Sequence, residues 1–439
     1  MSKPDPRIDA ARRMASHFAD LLQADLSLRL WTGEVLPLGP NARDDIQVVV
    51  ARPDVIRRLI LKPGLMMLFE LIATGELRVE GGSPLEAVDR WDYGKAMNLA
   101  KRLDKGLMLR LAVPFLLKRG DGEATQPPAW DASGVDGVGH ARKQRRDKDF
   151  ISFHYDVSND FYRLFLGETM AYSSGWHPSP DATLDEAQGA KFDRICRKLR
   201  LKPGLKLLDI GSGWGGLSCW AAARYGVHVH GVTLSQAQLD WARARAEAMG
   251  VADRVTFELR DYREIAGSGL YHAVAQVEMF EHVGFANHEA HFRHMHRLLK
   301  PGGLYFHQAT VRRGDADGAA RPNATTKVIT RFIFPGGELD TIGMTVNNLG
   351  RYGFEVMDVE NMRAHYDLTI REWAKRLWDN REEAYGLVGE ARTRLWALYF
   401  ALFAKGFERG VSLNYQTVAQ RRRSGRSRLP LNPRSEYDR

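Results

Sequence analysis

Cysteine is nearly missing from this chain: its 439 residues include only Cys196 and Cys219. Two thiols close at most one bridge, and this pair lacks metal-ligand spacing, so a disulfide scaffold is excluded. No metal site is expected, and a reduced, cytoplasmic setting is. Long apolar runs are missing too. No stretch reaches the roughly 18 consecutive apolar residues of a membrane-spanning helix. The N-terminal MSKPDPRIDAARRM is charged and leads into no apolar h-region, so no secretory signal is expected. No internal repeat is evident.

What is present is a large apolar fraction, 44%, enough for more than one core. Lysine and arginine total 63 against 54 acids, a net charge of +9. That excess favours an acidic partner. Much of it is local, in Arg142, Lys143, Arg145, Arg146 and Lys148, and again in Arg421, Arg422, Arg423, Arg426 and Arg428. Both clusters also fit a solvated linker and tail.

Residues 7–30 carry apolar positions at helical spacing. GEVLPLG, IQVVVA and ELRVEGG read as short strands, and residues 53–76 as helix broken at Pro63-Gly64. This predicts a small α+β domain over 1–118, a candidate for lipid docking or for forming a homodimer. Residues 119–149 are rich in Gly, Pro, Asp and basic residues and read as a linker. From 150 to 439 the reading is a catalytic domain with a basic tail. Strands LKLLDIG, VHVHGV, VTFEL, HAVAQV and LYFHQAT alternate with helices at 214–225, 235–249 and 286–299. Such alternation predicts a doubly wound, Rossmann-like α/β sheet, mostly parallel.

LDIGSGWGGL lies at a strand-to-helix junction, where glycines permit a tight turn and close approach to a ligand. A dinucleotide site wants an acid at the end of the second strand, but GVTLSQAQ offers Thr233, Ser235 and Gln238 and no carboxylate. The acid stands before the glycines, at Asp209, and another follows the third strand in RDYRE. This D-x-G-x-G pattern resembles class I methyltransferases. The resemblance implies S-adenosylmethionine as cofactor, with Asp209, Gly211, Gly213, Thr233, Leu234, Gln238, Asp261 and Tyr262 around it.

FHYDVSNDFYRLFLGETMAYSSGW, LLDIGSGWGGL, GVTLSQAQ, RDYRE, MFEHVG, LLKPGGLYFH, FIFPGG and HYDLTIREW occur in that order. Together they resemble the cyclopropane-fatty-acyl-phospholipid synthase family, which includes the mycolic acid cyclopropane synthases. The resemblance implies methyl transfer to the cis double bond of a phospholipid acyl chain at a membrane surface. Loss of a proton then closes a cyclopropane ring, with a bound bicarbonate as base. It assigns that anion to Glu281, His307 and Tyr366 and to the backbone amides of Ser174 and Ala309. It sets Tyr172 and Ser173 beside the cofactor. Trp176, Phe280, Phe332 and Phe334 are candidates for the acyl pocket, where aromatic faces would stabilise a passing cation.

Two positions depart from the family pattern. Ser174 stands where cysteine is usual, and Phe403 where many bacterial members carry cysteine, so thiol chemistry is not expected. Glu278 replaces what is glycine in many members and has no role by resemblance. The alternative outcome is an olefin C-methyltransferase, in which the proton leaves the chain and a methyl-alkene results. An RNA methyltransferase would need a nucleophilic cysteine or an Asn/Asp-Pro-Pro-aromatic motif at the strand ends. Neither is there, so no nucleic-acid partner is expected.

Overall fold

The computed structural model describes residues 5–92, 95, 99–118, 158–314, 331, 333, 337–425, 431, 432, 434 and 437. The expected linker, the basic cluster at 142–148, Phe332, Phe334, Arg426 and Arg428 lie outside the described residues.

The described chain forms two compact units. In the first, Asp5 caps the helix Pro6–Leu22, accepting from the Arg7 amide at 3.1 Å. Ala10, Ala11, Met14 and Leu22 turn one face of it into the core. The helix expected to run to residue 30 stops at Gln23, which adopts φ +50°. Its continuation is a strand, β1 (Ser27–Arg29), antiparallel to β2 (Val35–Pro37) and parallel to β3 (Gln47–Val50). β4 (Leu77–Glu80) completes a sheet of order β2-β1-β3-β4. The break at Pro63-Gly64 separates helices Pro53–Leu61 and Leu65–Ala73.

The first unit also takes Ala374–Lys405, which the expected boundaries gave to the catalytic segment. One reason is electrostatic. Lys405, 5% exposed, pairs with Asp89 at 2.8 Å, and a buried ammonium needs such a partner.

The second unit is built on seven strands: β5 (Lys206–Ile210), β6 (His228–Thr233), β7 (Val255–Leu259), β8 (Tyr271–Val277), β9 (Leu299–Arg312), β10 (Phe354–Asn361) and β11 (Ser412–Arg421). Their order is β10-β11-β9-β8-β5-β6-β7. The first five strands pair in parallel, while β11 runs antiparallel to both β9 and β10. This is the expected doubly wound sheet, closed by an antiparallel pair.

Successive residues of β5 serve opposite faces. Leu207 joins a core with the helices Leu184–Lys198, Gly216–Tyr225 and Gln236–Ala248. Leu208 joins one with His288–Leu298 and Ile342–Arg351. The strand order reverses between β5 and β8, and ligands of open α/β sheets bind at such a point, beyond the carboxyl ends of the strands.

The glycine loop there is tightly seated. Gly215 has φ +80°, and a Cβ on it would meet Phe257 Cζ at 2.8 Å and Ala242 Cβ at 3.0 Å. Gly213 has φ +53°, but a Cβ there would meet nothing within 4 Å. Both substitutions by alanine carry a left-handed backbone cost of roughly 1–2 kcal/mol. Gly215→Ala adds overpacking of about 1–3 kcal/mol. Urea denaturation followed by circular dichroism is expected to rank Gly215→Ala well below Gly213→Ala in stability.

Candidate active site

The carboxyl ends of β5, β6 and β8 and the loop after β7 open on one cleft. All ten residues expected around the cofactor line it: Tyr172, Ser173, Asp209, Gly211, Gly213, Thr233, Leu234, Gln238, Asp261 and Tyr262. Asp209 is 2% exposed and accepts from Ser218 Oγ at 2.6 Å, and burial pushes its carboxyl up to about 6. Thr233 Oγ1 donates to Gln238 Oε1 at 2.7 Å. Asp261 is held by the amide and guanidinium of Arg263. The Tyr262 hydroxyl lies 2.9 Å from His291 Nδ1. Trp214 of the glycine loop donates to Asn159 Oδ1 at 2.7 Å and packs on Tyr162, 5.0 Å between ring centres.

These residues fit S-adenosylmethionine. The cleft side of Gly213 is open, and Ser212 Oγ is buried beside it with no partner among the described residues. Polar groups are thus left for a ligand's amino acid and ribose.

Sequence reasoning missed Lys191. It is 1% exposed on the helix Leu184–Lys198, lines the cleft and donates to Ser173 Oγ at 2.6 Å. Burial drives its ammonium down to about 7, against the pull of Glu278 and Asp209. A lysine inside an amphipathic helix gives no sign in sequence that it faces inward.

Glu278, left without a role, proves to be the centre of the polar network. It follows β8 at φ +50°, a conformation costing a non-glycine residue about 1–2 kcal/mol. It also lines the cleft. Its Oε1 accepts from the Ser174 amide at 3.1 Å, Gln308 Nε2 at 2.7 Å and Asn414 Nδ2 at 3.0 Å. Its Oε2 accepts from the Tyr366 hydroxyl at 2.7 Å. Burial raises its carboxyl, while these donors and Lys191 pull the other way.

The five groups assigned to bicarbonate are therefore arranged differently. The Ser174 amide and the Tyr366 hydroxyl serve Glu278. Ala309 pairs with Tyr415 in the sheet, and the amide that reaches an acid is Thr310's, 2.6 Å from Glu281 Oε1. Glu281 Oε2 and His307 Nε2 are buried without a partner among the described residues. Burial, then the charge of Glu278, pushes Glu281 up to about 8, which leaves it mostly protonated at neutral pH. Burial pushes His307 down to about 3, so its ring is neutral. Two donors already taken and an acidic, uncharged remainder do not fit a separate bicarbonate.

Of the acyl-pocket candidates, neither Trp176 nor Phe280 lines the cleft. Trp176 donates to Glu360 at 3.1 Å beneath the Arg194 guanidinium, a polar cluster that anchors β10. Phe280 lies edge-on to His307, with ring centres 4.8 Å apart, inside a cluster with His288 and Phe292. Among the described residues no group of acids, histidines or cysteines could hold a metal.

The model of the mycolic acid cyclopropane synthetase family matches residues 142–417. A "Probable fatty acid methyltransferase" of Pseudomonas putida is 36% identical over 398 residues, 91% of this chain and 92% of that one. The "Cyclopropane-fatty-acyl-phospholipid synthase" of Escherichia coli K12 is 34% identical over 275 residues, 59% of this chain and 68% of that one. The solved mycolic acid cyclopropane synthase CmaA1 complexed with SAH and CTAB is 31% identical with a TM-score of 0.59, covering 62% of this chain and 98% of that one. With the sheet order and the cleft at its switch point, these likenesses place the chain in the cyclopropane synthase family, as an S-adenosylmethionine-dependent methyltransferase.

Proposed function

We propose that the enzyme transfers a methyl group from S-adenosylmethionine to the cis double bond of an unsaturated phospholipid acyl chain. The observation that carries this reading is that one cleft gathers the cofactor-side groups and a buried acid. Asp209, the glycine loop, Lys191 and the buried carboxylate of Glu278 all line it. The cofactor supplies an electrophilic methyl on a sulfonium. The chain's own residues bind and exclude water: Asp209, Thr233 and Gln238 offer polar groups to the cofactor, and Tyr172 and Trp214 line the cleft with Tyr162 and Trp373 packed behind them. Water must be kept out, because an alkene that has gained a methyl is a cation that water would trap.

Two products follow from that first step. Proton loss from the new methyl closes a cyclopropane ring, the reading favoured by the sequence motifs. Proton loss from the chain leaves a methylated alkene. The second reading draws support from the Pseudomonas putida relative, which matches over nearly its full length and is named for fatty acid methylation. Lipids from a host without its own cyclopropane synthase are expected to gain one CH2 per modified chain. Mass spectrometry before and after catalytic hydrogenation separates the products, since the alkene takes up hydrogen under mild conditions and the ring does not. Lipids of unchanged mass would contradict both readings.

The acyl chain lies in a bilayer, so the enzyme must dock there. No described helix is long and apolar enough to cross a membrane. The helix Lys105–Leu117 instead exposes Leu109, Val113, Leu116 and Leu117 along one side. Exposed Lys101, Arg102, Lys105, Arg110 and Lys118 flank them. Each basic residue near an anionic surface contributes about 1 kcal/mol. Co-sedimentation with vesicles is expected to rise with anionic lipid content, and Leu109→Glu with Leu117→Glu to lower it severalfold. Sedimentation indifferent to both changes would contradict peripheral docking.

A further inference from the structure

Four donors from four separate segments meet on one carboxylate, and the chain itself supplies that carboxylate. Ser174 precedes the helix Leu184–Lys198, Gln308 is on β9, Tyr366 is on the helix Arg363–Asp379, and Asn414 is on β11. The Gln308 amide is fixed in turn. Its Oε1 accepts from Gln416 Nε2 at 2.9 Å, and Gln416 Oε1 accepts from Lys198 Nζ at 2.6 Å. With its oxygen engaged, Gln308 must present Nε2 to Glu278. A hydrogen-bond chain beginning at a buried lysine therefore selects a negative charge at its far end. Oε1 is crowded by three donors. Among the described residues Oε2 accepts only from Tyr366, which leaves a lone pair for a proton.

We propose that Glu278 is the general base of the methyl transfer, standing where a bound bicarbonate would otherwise be needed. The proposal rests on the reading of the enzyme as an olefin methyltransferase. The π electrons of the acyl double bond form the new carbon–carbon bond to the sulfonium methyl, and the electron pair of the broken sulfur–carbon bond stays on sulfur. The neighbouring chain carbon is left positive. Glu278 Oε2 takes a proton from the new methyl or from the adjacent chain carbon. The released C–H pair then closes the ring or forms the new double bond. The carboxyl returns its proton to solvent after the product leaves.

The left-handed backbone of Glu278 supports this assignment. It suits glycine, and an acid kept there against its backbone preference is held by what its side chain does. It also supplies a clean test. Glu278→Gly relieves the backbone and leaves an anion-sized hole ringed by the Ser174 amide, Gln308, Asn414 and Tyr366.

The full-length enzyme is assayed in buffer purged of carbon dioxide, with and without added bicarbonate. Binding of 13C-bicarbonate is followed by NMR and binding of S-adenosylhomocysteine by calorimetry. The wild type is expected to turn over equally in both buffers and to bind no bicarbonate. Glu278→Gly is expected to lose at least about 100-fold in rate, the lower end for a missing general base. It should keep S-adenosylhomocysteine binding, bind bicarbonate, and recover part of its rate with it. Glu278→Gln, which fills the hole, should be as slow and beyond rescue. A wild type that stalls without bicarbonate, or binds it as the glycine variant does, overturns the proposal, as does full activity of Glu278→Gln. A wild type with no product on any unsaturated phospholipid would instead sink the functional reading. The bicarbonate-binding comparison would still decide whether Glu278 fills the anion's place.

Discussion

A carboxylate removed from water must be given back its hydrogen bonds, and most of the catalytic unit is arranged around that requirement. Glu278 is enclosed where β8 ends, and an isolated charge there would cost far more than folding could supply. Its partners come from places distant in sequence: Ser174, Gln308, Tyr366 and Asn414. The antiparallel return of β11 is what sets Asn414 and Gln416 against β9, two residues apart on one face. The helix Arg363–Asp379 brings Tyr366, whose ring packs on Phe407 with centres 4.5 Å apart. Elements that look like a C-terminal decoration of the sheet thus complete the site.

The same network sorts the charges. Two acids, Glu278 and Glu281, lie close enough to influence each other. Four donors meet on Glu278, while Glu281 Oε2 has no partner among the described residues, so the negative charge is favoured on Glu278 and the proton on Glu281. His307 is buried and neutral beside Phe280. Lys191 is a buried cation that interacts with both the cofactor-side acid Asp209 and Glu278. A site of this design is poor at recruiting an anion from solution and good at holding one already attached to the chain.

Much of this was legible in the sequence, and the limits have physical reasons. The alternation of strands and helices led to the sheet because local spacing dictates it, and the resemblances carried by the D-x-G-x-G loop and the ordered motifs named the ten expected residues that line the cleft. β1 was read as helix because three residues, Ser27–Arg29, are too few to show an alternating period. Trp176 looks apolar in sequence, but its N–H and ring face are engaged by Glu360 and Arg194, contacts that no local spacing announces. The roles of Glu278 and Lys191 depend on partners 30 to 136 residues away, or on which face of a helix is buried. Glu278 did carry a visible signal, an acid directly after the apolar run Ala273–Val277. Spacing alone could not say which of two nearby acids the donors would choose.

The most direct measurement is a crystal structure of the enzyme with S-adenosylhomocysteine. The cofactor is expected in the cleft with its sulfur facing the Glu278 carboxylate, and that carboxylate still bonded to Tyr366 and the Ser174 amide. A Glu278 side chain swung away, with a separate anion seated among Ser174, Tyr366 and His307, would contradict it.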